Sequence, residues 1–233
     1  MPKIWVTQTL PRAEESAADF RALGLEPTVS PVLDIVFTKD DIHPPTETTV
    51  LLFTSRNGVR AFCHIHEDRN YEVYCVGDAT AKLAEAQGFT QIASASGDVT
   101  DLQALVERSV SVSRPVRHCS GRHVRGRLTE NLLDAGFAAT RIEYYAAQPR
   151  KVLNFDPNQF DYIAIYSPLA AQSVTDLLVL QELDGFTALS ISANTDAALG
   201  GTYFKKRLIA ESPDQAEMIQ ALRLDLDRRN GQI

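Results

Sequence analysis

One unit recurs along this 233-residue chain: a short apolar run, a turn carrying Ser, Thr or Gly, then an amphipathic stretch that closes near Gly. A strand followed each time by a helix cannot fold back on its neighbour through a tight hairpin. Repeated, the unit predicts parallel strands with helices over both faces. Residues 4–7 read as the first strand. Pro11 to Leu23 follow as a helix, with Pro at its start and Gly24 at its end. Residues 27–38 read as one long extended run. Residues 50–53 then lead into Thr54-Ser55-Arg56-Asn57, and residues 73–76 into Gly77-Asp78-Ala79-Thr80, whose helix stops at Gly88. Residues 91–95 precede a helix over 101–107, for which Thr100 and Gln103 fit a capping box. Residues 116–119 lead into Ser120-Gly121-Arg122 and a helix from about Arg125 to Ala135. Residues 139–148 form a second long extended run. Residues 162–166 with Ser167-Pro168, and 188–192 with Ala193-Asn194-Thr195, repeat the unit, and Ser212-Pro213-Asp214-Gln215 opens the last helix with a cap and Pro at N1.

The two long extended runs are each followed by a polar stretch, 39–48 and 151–159. The expected class is α/β, with two doubly wound parallel-sheet domains joined by a two-stranded antiparallel connector. On that reading residues 1–35 and 150–233 form a discontinuous domain, 40–139 an inserted one, and 30–38 and 140–148 the connecting strands. A single doubly wound sheet with two unusually long strands is the alternative.

Several function classes are disfavoured by what the chain lacks. Its net charge of -7, without a basic stripe, disfavours a nucleic-acid partner. The three cysteines lie far apart, form no CxxC pair and read as reduced thiols. No apolar signal core or membrane-length apolar run is present, which predicts a cytoplasmic protein with no membrane partner. His43, His64, His66, His118 and His123 show no metal spacing, so no metal is expected. No GxGxxG follows the first strand and no GxSxG occurs. Gly121 and Gly126 have phosphate-loop spacing, but Arg127 and Leu128 replace the Lys and the Ser/Thr that such a loop needs. What remains is a basic turn of Arg122, His123, Arg125 and Arg127, with Arg125 the best anion-facing candidate.

In open parallel sheets, ligands bind beyond the carboxyl ends of the strands, where helix N-termini converge. The turns there offer small hydroxyl or amide side chains together with unpaired helix-start N–H groups, a chemistry that suits carboxylates or phosphates. Each turn taken alone is also explained by helix capping. Without an acid–base signature, the reaction should rest on positioning and electrostatics.

Val73-Tyr74-Cys75-Val76-Gly77-Asp78-Ala79-Thr80-Ala81 resembles the most recognisable motif of the uroporphyrinogen-III synthases. Leu52-Phe53-Thr54-Ser55-Arg56-Asn57-Gly58-Val59, Tyr144-Tyr145, Tyr166-Ser167-Pro168 and the segment from Ser192 to Leu199 are similar to that family's other turns, in order and over nearly the whole chain. Two family positions differ. Thr7-Gln8-Thr9 stands where Thr-Arg-Pro is common, and Ser120-Gly121 where Arg-Gly is common.

The resemblance implies two α/β domains with a cleft, and a cofactor-free enzyme. Its substrate would be hydroxymethylbilane, a linear tetrapyrrole with eight carboxylates, closed with loss of water and inversion of ring D. It implies Tyr145 as donor to the leaving hydroxyl. It also implies Thr54, Ser55, Asn57, Gly77, Asp78, Ala79, Thr80, Ser120, Gly121, Arg125, Ser167, Pro168, Asn194 and Thr195 as substrate binders. A monomer is expected, with a complex with the preceding pathway enzyme left open. The alternative from another class is a non-catalytic tetrapyrrole-binding or regulatory module on the same fold.

Overall fold

A computed structural model of the chain describes residues 1–38, 41–124, 126–179, 185–229 and 231. Two compact units are present, one of residues 1–34 and 148–233, the other of residues 35–147. The architecture is mixed α/β with parallel sheets.

The first unit carries a five-stranded sheet: β1 (Lys3–Val6), β2 (Glu26–Val29), β9 (Tyr162–Ile165), β10 (Thr187–Ser190) and β11 (Lys206–Ile209), in the order β11-β10-β9-β1-β2 with every pair parallel. Its helices are α1 (Arg12–Ala22), α6 (Pro168–Leu178), α7 (Ala193–Ala197) and α8 (Gln215–Arg229). Ile4, Val6, Tyr162, Ala164 and Leu189 pack with Ala13 and Phe20 of α1 and Met218 and Leu222 of α8. The alternate residues Trp5, Ile163 and Ala188 are equally buried. A strand buried on both faces needs apolar side chains at every position, which is why these segments read as runs rather than alternations.

The second unit contains β4 (Val50–Phe53), α2 (Arg56–Ile65), β5 (Glu72–Cys75), α3 (Asp78–Ala86), β6 (Gln91–Ser94), α4 (Val99–Ser109), β7 (Pro115–Gly121) and α5 (Leu128–Asp134). With β3 (Leu33–Phe37) and β8 (Ala138–Pro149) its strands run in the order β3-β8-β7-β4-β5-β6. Val50 and Leu52 pack against Leu102, Leu105 and Val106 of α4 and Leu128 and Leu132 of α5. Leu51 and Phe53, pointing the other way, meet Val59, Ala61 and Phe62 of α2 and Ala84 of α3. Helices therefore cover both faces. Each such side chain contributes on the order of 1.5–3 kcal/mol by leaving water. Thr38 N–H donates to the Tyr144 carbonyl and Arg150 N–H to that of Val32, so numbering rises along β3 as it falls along β8.

Strand order locates the crevices. From β4 the chain moves through α2 to β5, whereas from β7 it moves through α5 to β8, on the opposite side. The helices diverge between β4 and β7, and in open parallel sheets such a divergence is where a binding crevice is expected, at the carboxyl ends of the strands. In the five-stranded sheet the same divergence falls between β1 and β9.

Several boundaries differ from the sequence-based expectations. The extended run 27–38 is two strands in different sheets. It breaks at Ser30-Pro31, where Pro31 has no N–H to continue the ladder, while Ser30 N–H and Val32 N–H donate to Val6 and Thr7 carbonyls. The capping box of α4 is made by Asp98 and Asp101, not by Thr100 and Gln103: Asp98 accepts from the Thr100 and Asp101 N–H groups, so the helix starts earlier. The α5 helix begins at Leu128 rather than near Arg125, because Gly126 at φ +77° interrupts the helical path. At α8 the Glu217 N–H is accepted by Asp214, and Ser212 instead donates to Asp214, so the helix begins at Gln215 rather than at Pro213. Strand β11 was not foreseen. Lys206-Arg207-Leu208-Ile209 opens with two charges and never becomes fully buried.

Gly58 shows how tightly α2 lies on the sheet. A Cβ there would stand 2.6 Å from the Cys119 carbonyl oxygen of β7, a backbone atom that cannot swing aside. Gly58→Ala is expected to cost about 1–3 kcal/mol in urea unfolding. An unchanged midpoint and slope would contradict this close approach.

Candidate functional site

The site is built on a β-bulge. Between β7 and β8, Ser120 pairs with Glu143 but Gly121 pairs with Tyr145, so Tyr144 is an extra residue. In a regular strand neighbouring side chains point to opposite faces. Here both Tyr144 and Tyr145 pack against the cluster under α2 and α3, as a bulge that re-aims one side chain allows. Tyr144 is fully buried, its hydroxyl 3.1 Å from His66 Nε2 and accepting from Arg117 at 3.3 Å. Tyr145 is half-buried, and its hydroxyl lies 2.8 Å from Ser55 Oγ at the carboxyl end of β4.

The phenol is held from two sides. Ser55 is the N-cap of α2, its Oγ accepting from the Gly58 N–H at 3.1 Å, so its position is set by the helix start. Gly121 lies under the ring: a Cβ there would stand 2.7 and 2.8 Å from Cε2 and Cζ of Tyr145. Any larger residue at 121 would displace the ring. Burial raises the Tyr145 pKa above the usual phenol value, partly offset by the bond with Ser55, so the phenol keeps its proton at neutral pH.

Beside it, Thr54 Oγ1 is 3.0 Å from His118 Nε2, and His118 Nδ1 is 3.1 Å from Thr129 Oγ1. A neutral imidazole, with one donor and one acceptor nitrogen, matches two hydroxyls. Burial, reinforced by the charge of Arg141, lowers the His118 pKa to about 4, with Glu130 opposing. Thr54 is therefore engaged within the protein.

The other expected residues separate by position. Asn57, in the first turn of α2, accepts from Arg60 at 3.2 Å. Gly77 is the N-cap of α3 and makes no side-chain cap bond. Asp78 accepts from Ser94 and Ser96 hydroxyls, both at 2.7 Å; these bonds hold its carboxyl below the usual range and tie the β5 turn to the β6 turn. Ala79 follows in the first turn of α3, and Thr80 is buried. Ser120 is buried and accepts from Arg141 Nε at 3.1 Å, and a second Arg141 nitrogen donates to the Arg122 carbonyl at 2.8 Å. Arg122 pairs with Glu143 at 3.1 Å on an exposed surface, and such a pair contributes little. Arg125 lies outside the described residues.

Ser167, Pro168, Asn194 and Thr195 belong to the five-stranded sheet, not to this cluster. Ser167 caps α6 through the Ala170 N–H, with Pro168 at N1. Asn194 lies in the first turn of α7, where the buried Thr195 has its N–H and hydroxyl taken by Ser192. Sequence reasoning missed His118, Arg141 and the steric role of Gly121. All three depend on neighbours across strands, and no local spacing marks them.

Among the described residues no group of His, Cys, Asp or Glu could hold a metal ion, and no helix is long and apolar enough to cross a membrane. The family model described as Uroporphyrinogen-III synthase HemD matches residues 14–220. The chain belongs to the uroporphyrinogen-III synthase family. Family membership makes it a cyclising lyase of tetrapyrrole biosynthesis. The fold agrees. A uroporphyrinogen-III synthetase structure from Helicobacter pylori superposes with a TM-score of 0.65 at 16% identity, covering 97% of this chain and 100% of the other. A mutant uroporphyrinogen III synthase from the extremely thermophilic bacterium Thermus thermophilus gives 0.51 at 16% identity, covering 98% and 100%. No curated protein matches the chain.

In this candidate site of the uroporphyrinogen-III synthase, His118 links stability to pH. Its folded pKa is lowered, so the unfolded chain takes up the proton first as pH falls. The contribution is full above about pH 6.5, the unfolded value, and is lost on the way down to about 4. The loss should be on the order of 3 kcal/mol. His118→Gln is expected to flatten the fall in unfolding free energy between those pH values. Wild-type and variant curves running parallel there would contradict the buried neutral imidazole.

Proposed function

We propose that the crevice at the carboxyl ends of β4 and β7 is where hydroxymethylbilane is cyclised, with Tyr145 as the group that assists departure of the terminal hydroxyl. The observation that carries this is the 2.8 Å contact between Ser55 Oγ and a Tyr145 hydroxyl whose pKa is raised by burial. With Ser55 donating to the phenol oxygen, the phenol proton is directed to the leaving hydroxyl, which departs as water. The azafulvene cation that remains closes through the substituted carbon of ring D. The resulting spiro intermediate fragments and re-closes inverted, releasing a proton. A neutral donor suits this sequence, because a phenolate would stabilise the cation without helping the hydroxyl to leave.

The carboxylates are assigned to helix starts and a few cations. Ser55, Asn57, Gly77, Ala79, Ser120, Gly121 and Arg125 are proposed binders through backbone N–H groups or side chains, and Ser167 and Asn194 likewise at the strand ends of the five-stranded sheet, where Pro168, which has no N–H to donate, sets the first turn of α6. Thr54, Thr80 and Thr195 shape their turns, since their side chains are engaged or buried. Asp78 acts as a brace between turns rather than as a binder, because its charge would repel a carboxylate. Arg141 is the proposed replacement for the guanidinium that the family commonly places at position 120, since it stands against Ser120 from the neighbouring strand.

The β3–β8 pair is proposed as the connector between two doubly wound domains, with no cofactor, in a cytoplasmic monomer.

The test is the isomer outcome. Freshly made hydroxymethylbilane should give predominantly isomer III after oxidation and separation of the products. Tyr145→Phe should lower kcat about a hundredfold or more with an unchanged unfolding midpoint. Because the Tyr145 pKa is raised, no phenol-linked fall in rate is expected up to about pH 10. Isomer I at the spontaneous rate from the wild-type protein would overturn the reading, and wild-type turnover in Tyr145→Phe would remove the assigned role.

A further inference from the structure

A second charged site lies in the first unit, at the opposite end of its sheet from the strand ends discussed above. Thr187 opens β10, Lys205 and Lys206 lie at the start of β11, and Asp225, Arg228 and Arg229 come from the last two turns of α8. Together these six residues line a hollow of about 350 Å³. Four cations face one carboxylate there, in a chain whose net charge is -7.

The carboxylate serves two of them. Asp225, almost fully buried, is bonded to Lys206, to Arg229 at 3.2 Å and to the Tyr162 hydroxyl at 2.9 Å. Arg229 is further fixed by Thr187 Oγ1 at 3.1 Å and lies over the Tyr162 ring, 4.7 Å from its centroid. Lys205 and Arg228 have no ionic partner among the described residues. The C-terminal end of α8 favours Arg228 and Arg229, since a helix C-terminus carries partial negative charge. It does not account for the two lysines, which come from a strand and add to the repulsion. Like charges gathered in a concave wall raise the local potential and concentrate anions. The rigid pair, Lys206 and Arg229, would present fixed donors, and the pair without ionic partners could close on a ligand carrying more than one charge.

We propose that this hollow is an anion-binding site, separate from the cyclisation crevice, for a small molecule bearing two or more phosphate or carboxylate groups. Its net excess of positive charge matches a polyanion and not a single acetate-like group. Lys205 and Arg228 repel the neighbouring cations in the empty hollow, and a bound polyanion would relieve that repulsion.

Binding is tested on the full chain by calorimetry at low salt, with pyrophosphate and with propane-1,2,3-tricarboxylate, and with acetate as the monovalent control. The double variant Lys205→Gln/Arg228→Gln alters the two cations without ionic partners and leaves Asp225 paired, so it should fold and cyclise hydroxymethylbilane like the wild type. The wild type should bind at least one polyanion and not acetate. The variant should bind that polyanion at least about tenfold more weakly, while melting no lower than the wild type in the absence of ligand. Binding of pyrophosphate alone assigns phosphate, of the tricarboxylate alone assigns carboxylates, and of both assigns charge rather than shape. No binding of either polyanion at millimolar concentration, or equal affinity in the double variant, overturns the proposal.

Discussion

The contact between the Tyr145 ring and the bare Cα of Gly121 is the constraint on which the site depends. A regular β8 would send Tyr144 and Tyr145 to opposite faces; the bulge opposite Ser120 and Gly121 sends both to one. The ring then needs room over the neighbouring strand, and only a residue without a side chain leaves it, since a Cβ at 121 would lie 2.7 Å from the ring. With the ring seated, its hydroxyl falls within hydrogen-bond distance of Ser55, whose own place is fixed by capping α2. Gly58 beneath that helix start lets α2 approach Cys119 closely enough to complete the arrangement. Three elements distant in sequence thus set one phenol.

Electrostatics follow the same economy. A substrate with eight carboxylates does not require a basic protein when helix starts present unpaired N–H groups near strand ends. Charged residues here are largely spent on structure. Asp78 braces two turns, Asp98 caps α4, and Arg122 is paired with Glu143. The Arg141 guanidinium, brought from a neighbouring strand, is likewise held, by Ser120 Oγ and the Arg122 carbonyl. Burial keeps His118 neutral, so a second cation is not added next to Arg141.

Local features were legible in the sequence. Val50–Phe53 was read with its observed ends because a strand buried on both faces is apolar throughout. Gly24 and Gly88 were read as helix stops, and each adopts a positive φ that other residues resist. Ser55 and Ser167 were read at helix starts, where each caps through its hydroxyl. What escaped was non-local. The break at Ser30-Pro31 depends on which sheet each half joins. The bulge depends on register between strands, to which side-chain type is nearly blind. His118 looked like a lone histidine, because Thr54 and Thr129 reach it only in the folded chain. Arg141 sat in what read as an extended run, with no cue that it would stand against Ser120.

The most direct test of the central constraint is a double-mutant cycle on turnover, with Gly121→Ala, Tyr145→Phe and the pair. If Gly121 serves to seat the phenol, Gly121→Ala alone should lower kcat strongly. Adding it to Tyr145→Phe should then lower kcat little further, because the group it positions is already gone. Losses that multiply independently, or a Gly121→Ala enzyme with wild-type turnover, would contradict the account.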